Sequence, residues 1–203
     1  MSRTQVVNAA IDVVSAGGYE QMTIRSLAAR LGVAPMSLYR HVRDKDDLLD
    51  EVVDRLLSHA WRPRASRNNW RAWVGEACEK LRAFLVAQPA AMHVFLTHPV
   101  VSPAAVERME AVMSVLRSAG FDEPSAKRAY AAIHTYTLGF SALEAGRVGW
   151  APADGRVSAL AKQLAAYTTP RQFGEGLNYL LDGIARSAGV AEATGKPPRR
   201  KGS

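Results

Sequence analysis

Four side chains that donate or accept hydrogen bonds lie within five positions of one another: Ser37, Tyr39, Arg40 and His41. Hydroxyl, guanidinium and imidazole groups are the types that contact DNA phosphates and base edges. Arg25 precedes them on a neighbouring segment, and both arginines are long enough to reach base edges. The pattern predicts a surface that reads double-stranded DNA, provided that a short exposed helix holds these residues.

The surrounding sequence predicts two short helices that meet at a glycine turn. An apolar stripe on the first helix consists of Leu27, Ala28 and Leu31. Gly32 ends this helix, because a residue without a Cβ adopts the left-handed conformation without steric cost. Pro35 suits the first turn of the second helix, whose apolar face carries Leu38 and Val42. This arrangement is typical of a helix-turn-helix, whose second helix enters the DNA major groove. A helical hairpin within an all-α core is the alternative.

Amphipathic helices are predicted on both sides of this pair. The preceding helix ends at Gly17-Gly18, and its apolar residues are Val7, Ala10, Ile11 and Val14. The following helix begins at Asp44, which caps it, and Asp47 faces the positive end of the helix dipole. Its apolar residues are Leu49, Val52, Val53, Leu56 and Leu57, and it extends to about Trp61.

At this point the chain resembles the tetracycline-repressor-like (TetR/AcrR) family of transcription regulators. The matching segments lie in the N-terminal quarter: Gly18-Tyr19, Met22–Arg25, Leu27-Ala28, Leu31–Val33, Ser37–Tyr39, His41-Val42 and Lys45–Leu49. The resemblance implies that the DNA backbone is contacted by Thr23, Tyr39, His41 and Lys45. We expect the base edges to be read by Arg25 and Arg40, together with Pro35, Met36 and Ser37 at the groove end of the second helix.

The composition is that of an ordinary soluble globular protein with a basic surplus. The chain is 48% apolar and 22% charged, with a formal net charge of +7, which suits an anionic partner. Four of the positive charges lie in the tail, at Lys196, Arg199, Arg200 and Lys201, which leaves about +3 on the body. The single Cys78, on an apolar face, excludes an internal disulfide framework. No apolar run approaches the roughly 18 residues of a membrane span, so we expect a cytoplasmic protein without membrane contact.

Turn-forming residues divide the chain into parts. Residues 1–48 are predicted to form the DNA-binding domain, and the helix from 44 to about 61 leads away from it. Arg62–Asn69 is rich in turn-forming residues and is interpreted as the boundary. Residues 62–189 have helical periodicity throughout and are predicted to form a ligand-binding and dimerisation domain. Residues 190–203 are predicted to be a disordered basic tail.

Two C-terminal helices, 123–144 and 173–187, are the predicted dimer interface. A single helix-turn-helix binds DNA weakly, and pairing presents two of them to successive major grooves. The interface residues are expected to be Leu177, Leu180, Leu181 and Ile184. Gly174, Gly176 and Gly183 would permit close helix approach in a four-helix interface. The resemblance implies the same helices; the alternative is that both complete the monomer core.

The histidine, glycine and serine residues do not show the spacings of known catalytic or metal-binding motifs. The five histidines, His41, His59, His93, His98 and His134, show no H-E-x-x-H spacing, and no phosphate-binding glycine loop or G-x-S-x-G elbow occurs. Relatives that bind a metal–drug chelate use histidine, threonine and acidic groups, but no such motif position is matched here. We therefore expect no catalytic residues, no metal and no cofactor.

The C-terminal domain contains many aromatic and thioether side chains, which are typical of ligand cavities. The predicted pocket residues are Trp73, Phe84, Phe95, Met109, Met113, Tyr130, His134 and Phe140. They surround a proposed cavity between the helices at 70–87, 103–119 and 123–144, with Tyr130 and His134 as its polar groups. The alternative is that most of them are plain core.

These patterns together predict an all-α, homodimeric transcriptional repressor. Its affinity for a DNA operator would be lowered by a small-molecule effector bound in the C-terminal helical domain. Within the same class, an activator or a ligand-independent regulator remains an alternative, and outside it a small helical enzyme.

Overall fold

The computed structural model describes residues 1–17, 21–60, 69–88, 92, 95–96, 102–147, 163 and 166–190. Every regular element in these ranges is helical, which confirms the predicted all-α class. The elements are α1 (Arg3–Gly17), α2 (Ile24–Leu31), a 3-10 helix (Pro35–Arg40), α3 (Lys45–Ala60), α4 (Trp70–Ala87), α5 (Pro103–Ser118), α6 (Glu123–Arg147), a 3-10 turn (Ala166–Thr168) and α7 (Pro170–Ala188).

Side-chain caps set where the C-terminal helices begin. Asn69, Ser102 and Thr169 each accept a hydrogen bond from the backbone N–H three residues later, at the starts of α4, α5 and α7. A proline follows the cap in α5 and in α7, where its fixed φ suits the first turn. α7 ends at Gly189, whose φ of 64° is the left-handed conformation that favours glycine.

Buried apolar residues form two separate cores. The N-terminal core joins α1, α2, the 3-10 helix and α3, and its fully buried residues include Val7, Leu27, Leu38, Leu49 and Val53. The C-terminal core joins α4, α5, α6 and α7, and includes Trp73, Met113, Ile133, Phe173 and Leu181. The predicted stripes on the helices therefore face these two cores.

The connecting helix α3 is tied to the N-terminal end of α5. The backbone N–H of Ala104 donates to Asp54 Oδ1 at 2.6 Å. Arg108 donates to the carbonyl oxygen of Ala104 at 2.8 Å and also to that of Leu57 on α3. Leu81 packs against the N-terminal core from α4. The two cores therefore meet at a junction of α3, α4 and α5.

Several predicted features fall outside the described residues. These are residues 62–68 of the predicted boundary, His93, His98, most of the segment 148–165 and residues 191–203 of the tail. Within the described part, the bounds of one helix differ from the prediction. The second helix of the helix-turn-helix is a 3-10 helix that ends at Arg40, so Val42 lies beyond it. Its six residues exceed the roughly three to four residues that are usual for 3-10 geometry.

Candidate functional site

α2 is held at both ends by local hydrogen bonds. Thr23 caps its start: its hydroxyl oxygen accepts from the Ser26 N–H at 3.0 Å, and the Ser26 hydroxyl oxygen accepts from the Thr23 N–H at 3.0 Å. Gly32 ends it at a φ of 66° and donates its N–H to the carbonyl oxygens of Ala28 and Ala29. Leu27 and Ala28 are buried, so Arg25 on the opposite side is exposed.

The 3-10 helix presents large side chains to solvent. Leu38 is its only buried residue, whereas Met36 is 74% exposed and Tyr39 is 50% exposed. Pro35 and Arg40 are also exposed. Removing the apolar surface of Met36 and Tyr39 from water is favourable. This short surface is therefore suited to binding a partner.

The turn after the 3-10 helix is fixed by Asp47. Its carboxylate accepts from the Arg43 backbone N–H at 3.0 Å and from Arg43 Nη2 at 3.1 Å. The hydrogen bond from the Arg43 backbone is the largest cause that holds the pKa of Asp47 below its usual value. Asp44 Oδ1 in turn accepts from the Asp47 N–H at 2.7 Å, which is the capping contact predicted at the start of α3.

The nine predicted DNA-contacting residues all lie in the segment from the cap of α2 to the first residue of α3. The exposed ones are Thr23, Arg25, Pro35, Met36, Tyr39 and Arg40. The half-buried ones are Ser37, His41 and Lys45. None of the nine side chains is fully buried in the N-terminal core, so each has surface available to a partner.

The predicted pocket residues divide into two groups. Trp73 and Met113 are buried in the C-terminal core, and Met109, Tyr130 and Phe140 are partly buried against it. Phe84 and Phe95 instead pack, partly buried, against the N-terminal core.

Tyr130 and His134 stack on one face of α6. Their ring centroids are 5.4 Å apart at an interplanar angle of 14°. Burial raises the pKa of Tyr130 and lowers the pKa of His134, so both side chains are held in their neutral forms. Within the described ranges neither has a hydrogen-bond partner. The pair can therefore offer a donor and an acceptor to a neutral polar group.

The predicted dimer residues differ in how deeply they are buried. Leu177 and Leu181 are each 2% exposed in the single chain and lie in the C-terminal core. Leu180 and Ile184 are half-buried and retain exposed surface. A Cβ on Gly176 would lie 2.3 Å from Tyr136 Oη, so the close approach there is between α6 and α7 of one chain. Tyr179, on the same helix, is 71% exposed.

Over the described ranges, no three histidine, cysteine or acidic side chains group as metal ligands would. No helix in those ranges has the length and apolar character needed to cross a membrane. Cys78 is buried beside Thr137, and burial raises the pKa of its thiol to about 11.

Two family models match the chain. Residues 6–52 match the model described as bacterial regulatory proteins, tetR family, and residues 62–170 match the tetracyclin repressor-like C-terminal domain. The chain belongs to the tetracycline repressor family of transcriptional regulators. The resemblance inferred from the N-terminal motifs is thereby confirmed.

Individual members of the tetracycline repressor family are similar over nearly the whole chain. An HTH-type transcriptional regulator of Saccharopolyspora erythraea is 31% identical over 94% of this chain and 87% of its own length. ActR of Streptomyces coelicolor in complex with (S)-DNPA has a TM-score of 0.77 at 25% identity, covering 93% of this chain and 98% of that one. BioQ with its natural double-stranded DNA operator has a TM-score of 0.72 at 28% identity, covering 91% and 98%.

Two basic residues near the helix-turn-helix of this family member were not predicted from the sequence patterns. Arg43 lies in the turn before α3, and Arg3 lies at the start of α1 and contacts that turn from 38 residues away. Arg43 lies between the matching segments His41-Val42 and Lys45–Leu49 but belongs to neither, whereas Arg3 carried no local signal, because its partners are remote in sequence.

Proposed function

We propose that this chain is a homodimeric, DNA-binding transcriptional repressor whose operator affinity is lowered by a small-molecule effector bound in the C-terminal domain. The observation that carries the DNA-binding part is the exposure of Met36, Tyr39 and Arg40 on the 3-10 helix of a helix-turn-helix. Acting on DNA inside the cell, the protein would work in the cytoplasm. The proposal includes no catalytic role, metal or cofactor.

The DNA contacts are divided by side-chain chemistry. Arg25 and Arg40 read base edges, and the arginine fork fits guanine O6 and N7 in the major groove. The exposed thioether of Met36 suits contact with a thymine methyl group, and Pro35 and Ser37 lie beside it. Phosphates are contacted by Thr23, Tyr39, His41 and Lys45. The operator complex of BioQ supports double-stranded DNA as the partner.

The dimer forms through the outer faces of α6 and α7. Exposed or half-buried residues on these faces are Gly139, Leu143, Gly146, Tyr179, Leu180, Gly183 and Ile184. A Cβ built on Gly139, Gly146 or Gly183 meets nothing within 4 Å, so these glycines leave room for a second chain. A two-fold axis through this surface would pair it with itself, as in most homodimers. Pairing would place two helix-turn-helix units about 34–36 Å apart, one DNA turn.

The effector site is proposed in the C-terminal core beside Tyr130 and His134. Trp73, Met109, Met113 and Phe140 supply its apolar wall. ActR in complex with (S)-DNPA supports small-molecule binding by a protein of this fold. Because Phe84, Ala104 and Arg108 contact the N-terminal core or α3, a shift of α4 or α5 would move the reading domain. A ligand that favours one arrangement shifts the population toward it.

Selection of binding sites from random duplexes tests the DNA-binding proposal. The full-length chain should enrich a palindromic site whose half-sites are spaced by about one helical turn, or 10–10.5 base pairs. Enrichment of no sequence, or of a single half-site by a monomer, would contradict the proposal. A gel shift with the DNA that flanks the gene of this protein provides the natural operator.

Mass spectrometry of the native protein identifies bound compounds, and operator-binding measurements with such compounds test the effector proposal. A co-purified or screened compound should lower operator affinity by a factor of about 5–150, and the operator should lower the affinity for that compound by the same factor. A repressor should also reduce transcription from a reporter that carries the selected site. Increased transcription would indicate an activator, and a compound that binds without changing operator affinity would remove the effector part.

A further inference from the structure

The 3-10 helix packs against α2 in the N-terminal core. Its only buried residue is Leu38, and the bonds across it include Ser37 N–H to the Ala34 carbonyl at 2.9 Å and His41 N–H to the Leu38 carbonyl at 2.8 Å. Hydrogen bonds of 3-10 geometry are weaker than those of an α-helix. Base readout requires accurate placement of side chains, so a contact at the end of this helix adds to the packing against α2 in fixing its orientation.

Arg3 supplies such a contact from the start of α1. Its Nη1 donates to the carbonyl oxygen of His41, the C-cap of the 3-10 helix, at 2.6 Å. Its Nη2 donates to Asp47 Oδ2 at 3.2 Å, and its Nε donates to Glu51. One planar guanidinium thus joins α1, the end of the 3-10 helix and the first two turns of α3.

The surroundings of Arg3 favour this role over a simple surface ion pair. The side chains of Asp47 and Glu51 are 12% and 28% exposed, so the carboxylates are partly shielded from solvent, whereas Arg3 itself is 45% exposed. Asp47 also fixes the backbone of Arg43, in the same turn. A basic residue in the first turn of a helix interacts unfavourably with the helix dipole, and α1 has no acidic residue there to offset it.

We propose that Arg3 is a positioning residue for DNA recognition: it clamps the His41 carbonyl to α3 and so fixes the 3-10 helix for base readout. This inference rests on the proposed operator binding. Arg3 acts through the backbone of the reading segment, without contacting a phosphate. Its loss therefore weakens binding to the specific site and leaves non-specific binding intact.

The experiment compares Arg3→Ala, Arg3→Lys and Glu51→Ala with a matched control, Arg30→Ala. Arg30 lies in the same domain and pairs with Asp12 on the surface, with both side chains about half exposed. Binding is measured over a range of salt concentrations to a duplex selected by the wild-type chain and to a scrambled duplex of the same composition. Helix content by circular dichroism establishes that each variant is folded.

Arg3→Ala should lower specific affinity at least about tenfold, as expected for one charge-assisted hydrogen bond, with an unchanged salt slope. Arg3→Lys should not restore it, because an ammonium group cannot make the three contacts of the fork. Glu51→Ala distinguishes best between the clamp and a simple effect of charge. It removes a negative charge, which by itself strengthens DNA binding, yet the clamp requires it to weaken specific binding. The control should change specific affinity by less than about twofold.

Three outcomes would overturn the clamp. The first is equal weakening on both duplexes with a salt slope reduced by about one, which is the signature of a phosphate contact. The second is unchanged or increased specific affinity in Glu51→Ala. The third is unchanged specific affinity in folded Arg3→Ala.

Hydrogen exchange separates failure of the clamp from failure of the proposed function. The amides of His41 and Val42, both bonded to the Leu38 carbonyl, should exchange faster in Arg3→Ala than in wild type or Arg30→Ala without any DNA present. Unchanged exchange refutes the clamp even if the chain binds an operator. Faster exchange with no selected duplex refutes operator binding alone.

Discussion

Nη1 of Arg82 lies 2.7 and 2.6 Å from the two carboxylate oxygens of Glu144, and this ion pair joins α4 to α6 across 62 residues of sequence. The two side chains are only 10% and 15% exposed. The guanidinium carbon of Arg82 also lies 5.3 Å from the centroid of the Phe173 ring on α7. A shielded charge pair therefore connects three helices of the C-terminal domain.

Breaking this pair should destabilise the protein. Glu144→Gln leaves the Arg82 charge shielded without its main partner, so we expect the free energy of unfolding to fall by about 3 kcal/mol. The double variant Arg82→Met/Glu144→Leu should recover most of the loss, because neither charge remains. Urea denaturation measures both. The control, Lys127→Ala, removes an exposed pair with Glu123 on α6 and should cost at most about 1 kcal/mol. Equal losses in Glu144→Gln and the control would contradict the prediction.

Base-reading and phosphate-contacting residues should respond differently to substitution. Arg40→Ala should cost about 1–3 kcal/mol on the selected duplex and relax its specificity at one position. Lys45→Ala should weaken binding to every sequence and lower the salt slope by about one. Affinities for matched and mismatched duplexes over a salt series distinguish the two. Arg117→Ala on α5, outside the reading domain, is the control. Retained discrimination in both Arg40→Ala and Arg25→Ala would mean that other residues read the bases.

Tyr179→Glu should separate the dimer into monomers. Tyr179 is largely exposed in the single chain, so the glutamate leaves the monomer core intact but places an unpaired charge in the proposed interface. Leu180→Glu is less informative, because Leu180 is half-buried and the variant also disturbs the fold. Sedimentation velocity measures the molecular mass. Ser114→Glu, at an exposed position on α5, should remain dimeric. A wild-type chain that is monomeric at micromolar concentration would end the dimer proposal.

His134 should make stability depend on pH. Burial lowers its pKa below the usual 6.5, so the unfolded chain binds a proton more readily than the folded one. The free energy of unfolding should therefore be unaffected by His134 above that value and should fall as pH decreases from about 6.5 to 5. The pKa values of Asp47 and Asp122 are lowered from 3.8, so both stay ionised over this interval. Urea titrations at several pH values should show a flatter dependence in His134→Gln; an identical slope would contradict the prediction.

Cys78 should be unreactive in the folded protein. The thiolate is the reactive form, and burial raises the pKa of this thiol to about 11. A colourimetric thiol reagent at pH 8 should label the native chain only as fast as the C-terminal domain opens, and should label it rapidly in urea. Because the chain has one cysteine, Cys78→Ser should give no signal. Complete labelling of the native protein within the dead time of mixing would show that the site is open.

The reading domain could largely be predicted from the sequence, because its signals are local. The glycine at position 32, the cap at Asp44 and the apolar stripe of α2 act within one or two turns of the chain. Each depends on backbone conformation or on neighbours three and four residues away. These local signals also carried the resemblance to the family, and with it the four candidates for contact with the DNA backbone.

Only the tertiary structure decided which side of each C-terminal helix faces which neighbour. Periodicity placed Phe84 with Trp73 and Leu177 with Leu180, yet Phe84 faces the N-terminal core and Leu177 is buried while Tyr179 is exposed. The contacts of Arg3 with His41 and of Arg82 with Glu144 join residues 38 and 62 positions apart. Helix periodicity defines an apolar stripe but leaves open the rotation of the helix among several partners. That rotation is fixed by packing of all the side chains together.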